Sequence, residues 1–466
     1  MDPSEDSWKY QQQAIDADIK SLKVSLRASI RALRSRRNSL APILSLPTEI
    51  TTLIFSFLRP TSSASLKWLR VAHVCHQWRE IALNQPLLWS HINFTNLSSV
   101  GAAAILDRAK TAPLYLEARA FDGHWDNARF SAFEEQLLAC VPRICRLSIS
   151  TDIPQFPKTL ERLISPAPTL ERLSLDCREP IPETLFSGIT PRLSCLELHG
   201  GCGIGWKSPL LRGPGLRYLD VFSPSAESAP SLSVWLDALD EMPQLKMLTL
   251  EVASPTADDG GPFPFDVKRT ATLPSLTHFN ISDSPRNCAF ALAHLDLPAL
   301  TCLNVKVDSF LRDGNDVRDV FPYIGKHAHG SQDTQPLQSI LIRGKQTRAD
   351  FLVWPVPNIN VELRGSTLLA ATAPARVALS FWCENWNHFD AHNEVLGMAM
   401  AAIPLDGLVT LITHDFQSPP FEQFWLPNLP RLPLLQHVRL APIVATRFID
   451  WLQADNGDSK TRFSLH

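Results

Sequence analysis

Apolar positions recur along the first forty residues with a helical spacing. Ile15, Ile19, Leu22, Leu26, Ile30, Leu33 and Leu40 draw one stripe along a helix predicted over 8–40. The spacing drifts after Leu26, so a strict heptad holds for only about two repeats. The run LSLPTEITTLIFSFL at 44–58 then predicts a short helix opening at Pro47, whose missing N–H would have no partner in a first turn. Glu49 falls in that turn, where a carboxylate meets the positive helix end. Ile50, Leu53, Ile54, Phe57 and Leu58 make one continuous apolar face, with Phe55 outside it and Leu46 before it. Pro60 and the following Ser/Thr-rich stretch end the helix. Another helix is predicted from about Leu66 to Asn84, with Val71, Val74, Cys75, Trp78, Ile81 and Ala82 as its stripe and Trp68 and Leu69 beside it. QPLLWSHINF at 85–94 breaks that helix with proline and leads into a first strand.

After residue 140 the period changes. A template Pro-x-Leu-x-x-Leu-x-Leu, admitting other aliphatics and Phe, occurs as PRICRLSI at 142, PTLERLSL at 168, PRLSCLEL at 191, PGLRYLDV at 214 and PQLKMLTL at 243. It continues as PSLTHFNI at 274, PALTCLNV at 298 and PLLQHVRL at 433, and, without proline in the first position, as QPLQSILI at 335. The first seven lie 23 to 31 residues apart. That spacing touches or slightly exceeds the leucine-rich repeat period of about 20–29 residues, and L-x-x-L-x-L resembles that family's strand signature. The leucines are expected to point inward from short parallel strands, each unit hiding its apolar face on its neighbours. Thr169, Glu171, Arg172 and Ser174 would then project from the strand surface. The usual Asn or Cys three residues past the last leucine is absent, and the intervals widen at 306–334 and 343–405. INVEL at 359–363 and ARVALSFW at 375–382 are candidate degenerate strands there. The expectation is an irregular solenoid with insertions.

Composition adds limits. The chain has 466 residues, 45% of them apolar, and a net charge of −3, enough for two or more cores and no bias towards nucleic acid. Lys20, Lys23, Arg27, Arg31, Arg34, Arg36 and Arg37 make the first helix basic, as a solvated face, a short coiled coil, or a nuclear-import or nucleic-acid patch. No aromatic side chains interleave the arginines, which disfavours nucleic acid. The apolar runs are shorter than the roughly 18 residues of a spanning helix, and MDPSEDSWKY lacks the basic-then-apolar order of a signal peptide. Nine dispersed cysteines without a CxxC pair fit a reducing compartment. A soluble, intracellular chain, cytoplasmic and/or nuclear, is expected.

Three clusters invite chemistry. HGGCGIGW at 199–206 is followed by KSPLLRGPG, which cannot open the helix that a phosphate-binding fingerprint needs, so a turn between repeats is expected. His73, Cys75 and His76 would face different ways on a helix, with Cys75 packed inward. CENWNHFDAHNE at 383–394 puts His388 and His392 four apart, as zinc ligands often are, but no second cysteine pair or H-E-x-x-H base accompanies them. Trp382 and Trp386 are expected to pack on the solenoid. No catalytic constellation, metal site or cofactor is assigned. The strand arginines Arg146, Arg172 and Arg217 either form a phosphate site or are solvated.

The short helices over roughly 43–91 cannot enclose a full core without a staple, and no disulfide or metal pattern supplies one; a partner chain is the economical explanation. LSLPTEITTLIFSFL followed by LRVAHVCHQWREIALNQPLLW resembles an F-box in its L-P-x-E-I start, I-F-x-F-L helix, V-C-x-x-W-R helix and closing L-W. The basic helix, the F-box and then AKTAPLYLEAR also resemble the layout of fungal, mushroom-type F-box proteins. The resemblance implies a non-catalytic substrate-recognition subunit of a Skp–cullin–F-box ubiquitin ligase, with the F-box on a Skp adaptor, the adaptor on a cullin, and the repeats holding a target protein. Matched by motif, Leu46, Pro47, Ile50, Leu53, Ile54, Phe57, Val74, Cys75 and Trp78 are the implied adaptor-binding set, while Trp78 and Ile81 are expected to hold the helices together. The fold expected is α+β and multidomain: a basic helix at 1–42, a small all-α F-box at 43–91, a connecting segment and cap at 92–140, and an irregular α/β leucine-rich-repeat-like solenoid at 141–466. The alternative is an F-box adaptor or scaffold outside a ligase, with the first helix forming a homotypic coiled coil. A metal-dependent enzyme built around 383–394 is a third class, which stoichiometric zinc would revive.

Overall fold

The structure, a computed structural model, describes residues 3–58, 66–120, 125–178, 180–201, 204–213, 215–222, 230–255, 265–309, 317–329, 335–345, 348–357, 359, 361–364, 367–371, 374–383, 389–414, 432–440, 445–446 and 448–450. The chain divides into two compact units, one of Met1–Arg119 with Asp126–Ile144 and one of Ala120–Trp125 with Cys145–His466. No helix among the described residues is long and apolar enough to cross a membrane.

The first unit holds α1 (Pro3–Ser39), α2 (Thr48–Phe57), α3 (His76–Leu83), β1 (His91–Asn93), α4 (Ser99–Ala109), β2 (Leu114–Ala120) and α5 (Asn127–Cys140). β1 and β2 pair in parallel, His91 opposite Tyr115. Side-chain caps fix the later helix starts: Ser98 accepts from the Gly101 N–H at 3.1 Å and Asp126 from the Arg129 N–H at 2.7 Å. The Arg129 guanidinium in turn donates to the carbonyls of Phe94, Thr95 and Leu97, tying α5 to the loop after β1.

The continuous helix expected over 66–84 is instead two pieces. Leu66–His73 is a 3₁₀ segment, and α3 begins only after Cys75, which is extended at φ −155° and ψ 170°. Val71, His73, Val74 and Cys75 all have weak helix propensity, so little opposes the break. Breaking there buries Val71 and Ala72 of one piece together with Ile81 and Ala82 of the other.

The second unit is built on a large, mostly parallel sheet. Its elements are β3 (Ile144–Thr151), α6 (Phe156–Arg162), β4 (Arg172–Asp176), β5 (Cys195–His199), β6 (Tyr218–Phe222), α7 (Leu232–Asp240), β7 (Met247–Glu251), β8 (Ala271–Thr272), β9 (His278–Asp283), α8 (Pro285–Ala293), β10 (Leu295–Asp296), β11 (Cys302–Ser309), α9 (Phe321–Ala328), β12 (Ser339–Lys345), β13 (Arg348–Trp354), β14 (Val361–Arg364), β15 (Thr367–Ala371), β16 (Val377–Cys383), α10 (Phe389–Ala402), β17 (Thr410–His414) and β18 (His437–Arg439). Strands β3, β4, β5, β6, β7, β9 and β11 lie side by side in that order, all parallel. Every template segment found in the sequence forms one of the strands.

The template has a local cause. In eight copies the residue before the proline accepts a hydrogen bond from the amide of the first aliphatic residue: Val141 from Ile144, Ala167 from Leu170, Thr190 from Leu193, Gly213 from Leu216, Met242 from Leu245, Leu273 from Leu276, Leu297 from Leu300 and Leu432 from Leu435. Each is a β-turn with proline at its second position, where the ring already holds the φ that the turn needs. The turn delivers the chain into a strand whose alternate residues face inward. Leu147, Leu173, Leu196, Leu219, Leu248, Phe279 and Leu303 come into one register, and Ile149, Leu175, Leu198, Val221, Leu250, Ile281 and Val305 into the next. All are buried.

The regular order ends at β11. Beside it lies β16, the ARVALSFW segment, followed by β13, β12, β17 and β18. β12 and β13 pair antiparallel, Lys345 opposite Arg348, and β13 is antiparallel to β16 as well. The QPLQSILI strand therefore does not follow β11 in the sheet as a simple repeat would, because its adjacent segment folds back on it first. INVEL supplies β14, which among the described residues pairs with β15. Trp382 does not pack on the sheet as expected but stands half-exposed on β16, while Trp386 lies outside the described residues.

One buried group sets a pH dependence. His327 on α9 donates from Nε2 to the Leu292 carbonyl at 2.9 Å, and burial pushes its pKa below the ordinary value of 6.5. The unfolded chain takes up a proton there that the folded protein refuses. Stability is therefore unaffected above about pH 6.5 and declines as pH falls below it. H327Q, which keeps a donor without the titration, is expected to give a shallower fall in urea midpoint between about pH 6.5 and 5 than the parent.

Candidate functional site

The first unit turns its richest apolar helix outward. Thr51 and Phe55 are the buried residues of α2, one turn apart on its inner side. Thr51 Oγ1 donates to the Pro47 carbonyl at 3.2 Å, which lets a polar residue lie inside without an unmet hydrogen bond. The Phe55 ring meets Trp78 of α3 edge to face, centroids 5.2 Å apart. Behind this pair, Trp68 and Trp89 meet edge to face at 5.0 Å and the Trp89 indole donates to the Ala82 carbonyl at 2.7 Å. Ile81, Ala82 and Leu88 complete the small core.

The sequence stripe of α2 is on the other side. Ile50, Leu53, Ile54, Phe57 and Leu58 are all exposed, Phe57 at 79% against 1% for Phe55. Pro47 is exposed beside them and Leu46 half-buried. On the second piece, Val74 is exposed, and Cys75 and Trp78 are half-buried. Thus Ile50, Leu53, Ile54 and Phe57 share one face of α2, whereas Trp78 belongs to the internal packing. Ile43 and Leu87 are further exposed apolar residues of this region that sequence reasoning did not single out. Their flanking prolines, Pro42 and Pro86, open single 3₁₀ turns, too short for any periodicity to register. Such a concentration of exposed apolar side chains on one small unit marks an interaction surface.

Residues 43–95 match the family model F-box-like. No curated protein is detectably similar to the chain. The F-box-like domain thus begins just before α2 and runs past β1. F-box domains are typically non-catalytic adaptor modules that bind a Skp adaptor within Skp–cullin–F-box ligases. The apolar face of α2 lies inside the matched segment.

The other chemical candidates resolve differently. Cys75 sits at the extended start of α3 rather than within a helix, and His76 faces Glu80 on the surface at 3.6 Å. Gly200 and Gly201 form a turn with φ 76° and 103°. A Cβ on Gly200 would meet Asp176 and the Cys177 backbone, so that position requires glycine. His388 lies outside the described residues, as do the side chains of Cys383, His392 and Glu394. Among the described residues, no group of three His, Cys, Asp or Glu side chains could hold a metal. Cys195 is pushed up to about 11 by burial, reinforced by Glu197, which leaves it a poor nucleophile at neutral pH.

The solvent side of the sheet carries a polar row. Arg172 stands 4.0 Å from Glu197, and His199 stands 3.8 Å from Asp220. Burial raises the Asp220 carboxyl, His199 opposes the rise, and Glu251 and Glu197 add to it. Arg146 lies in register with Arg172 and is exposed.

Proposed function

We propose that this protein is the substrate-recognition subunit of a Skp–cullin–F-box ubiquitin ligase. The observation that carries the reading is the orientation of α2: its large apolar stripe faces solvent while only Thr51 and Phe55 face its own core. A helix so turned is a half-core awaiting a groove on another chain. The Skp adaptor is the proposed occupant, with Leu46, Pro47, Ile50, Leu53, Ile54, Phe57, Val74 and Cys75 as its contacts and Trp78 as their internal support. The protein itself catalyses nothing in this reading. It holds a target beside the conjugating enzyme and raises the effective concentration of that target's lysines.

The target would bind the second unit. We propose that its consecutive parallel strands are an irregular leucine-rich-repeat-like solenoid over 141–466, preceded by a cap at 92–140, an F-box at 43–91 and a basic helix at 1–42. The Pro-turn-strand template and its buried leucine registers support this. The polar row from Arg172 to Glu251 is the proposed target-facing side, and the protein would act in the cytoplasm and/or nucleus.

Co-purification tests the reading. The intact chain is expected to bring down a Skp adaptor and a cullin, and L46A/P47A to reduce adaptor capture by about tenfold or more, the loss of one to two buried apolar contacts. Undiminished capture by the double variant would overturn the assignment of the surface. Adaptor capture without a cullin would favour the scaffold reading.

A further inference from the structure

We propose that α1 pairs with α1 of a second copy of this chain, antiparallel, to form a two-stranded coiled coil. From Trp8 to Arg37 every side chain of this helix is exposed. Those exposed residues include Trp8, Ile15, Ile19, Leu22, Leu26 and Leu33, with Leu40 exposed just beyond the helix. A helix of 37 residues, roughly 55 Å long, thus presents a full apolar seam to water.

Two features select the occupant and its direction. The first is charge. The half before Val24 holds Glu5, Asp6, Asp16 and Asp18 with Lys9, Lys20 and Lys23, while Arg27, Arg31, Arg34, Arg36 and Arg37 occupy the half after it with no acid among them. A parallel pair would set these five arginines against five more. Reversing one helix sets the arginine half against the half that carries every acid of the helix. The second is the seam itself, which is nearly symmetric about Val24. In the reversed pair Trp8 faces Leu40, Ile15 faces Leu33, and Leu22 faces Leu26 of the other copy, then each again by symmetry. Ile19, Leu26 and Leu33 keep a spacing of seven within the helix, Ile30 lies off that row, and Ile19 falls opposite the small Ser29. Gln12 falls opposite Arg36, a polar layer that fixes register. The consequence is bivalence: one assembly would carry two F-box-like domains and two recognition units.

Sedimentation equilibrium of the full-length protein at micromolar concentration is expected to give twice the 52.0 kDa chain mass. L22D/L26D should sediment as a single chain. D16K/D18K, which leaves the seam intact, should raise the dimer dissociation constant about tenfold at low salt, because it sets cations against the basic half. Photo-crosslinking from p-benzoylphenylalanine at position 15 should join peptides around residue 33. A monomeric parent, a dimer indifferent to either double variant, or a 15-to-15 crosslink would each overturn the proposal. Adaptor capture, measured on the same variants, should be unchanged, which keeps this test separate from that of the F-box-like surface.

Discussion

Replacing Phe55 with alanine is expected to cost the helical unit about 3–5 kcal/mol, the range for truncating a buried phenylalanine. Replacing Phe57, two residues on, with aspartate is expected to change stability by no more than about 0.5 kcal/mol, as for an exposed site. The contrast follows from geometry. Phe55 is 1% exposed and packs edge to face on Trp78, whereas Phe57 is 79% exposed. Thr51 is the other buried residue of α2, so no neighbouring apolar side chain on that helix can slide into the cavity left by F55A. Urea unfolding followed by tryptophan fluorescence contains the signal of Trp68, Trp78 and Trp89 among the chain's twelve tryptophans. In the same experiment series F57D should abolish Skp adaptor capture while F55A should weaken it only through unfolding. If F57D unfolds the domain, or F55A leaves it as stable as the parent, α2 is turned the other way in solution.

The second large effect lies in the sheet. Removing the Asp350 carboxylate is expected to destabilise the second unit by about 3–5 kcal/mol, because it strands buried charge. Asp350 on β13 is nearly enclosed, its side chain 4% exposed, and it accepts from both Nε and Nη2 of Arg343, from Arg348 Nε at 2.6 Å and from the Ser380 hydroxyl at 2.6 Å. These contacts join β12, β13 and β16, where the sheet leaves its regular order. In D350A the Arg343 guanidinium, itself only 12% exposed, keeps its charge without that carboxylate. Replacing both partners with apolar residues, D350L/R343M, should recover most of the loss, since neither charge is then left buried. Thermal or urea midpoints of the three proteins decide this. A D350A variant as unstable as its double partner would mean that shape, not charge, matters there.

Much of the strand pattern was legible because its cause is local. A proline turn followed by period-two leucines constrains only eight residues at a time, and each copy repeats the same turn and the same inward registers. The insertion of β16 beside β11 was not legible. Which edge a strand joins depends on competing partners far along the chain, and the β12–β13 fold-back removes one of them. The helix break at Cys75 was missed for a related reason: apolar spacing from Val71 to Ala82 fits one helix, and only the packing shows Val71 and Ala72 of one piece buried along with Ile81 and Ala82 of the other.

The candidate surface divides the same way. The sequence alone determined that α2 carries an apolar stripe of Ile50, Leu53, Ile54, Phe57 and Leu58, that α1 carries another, and that leucine-lined strands follow. Side-chain periodicity states which residues shun water. It does not state what covers them. That Phe55 faces inward and Phe57 outward is a matter of tertiary packing: the Phe55 ring packs on Trp78, and Thr51 shares the inner side with its hydroxyl donating to the Pro47 carbonyl. The larger stripe is left on the surface, an outcome fixed by the volume of a core too small to contain it.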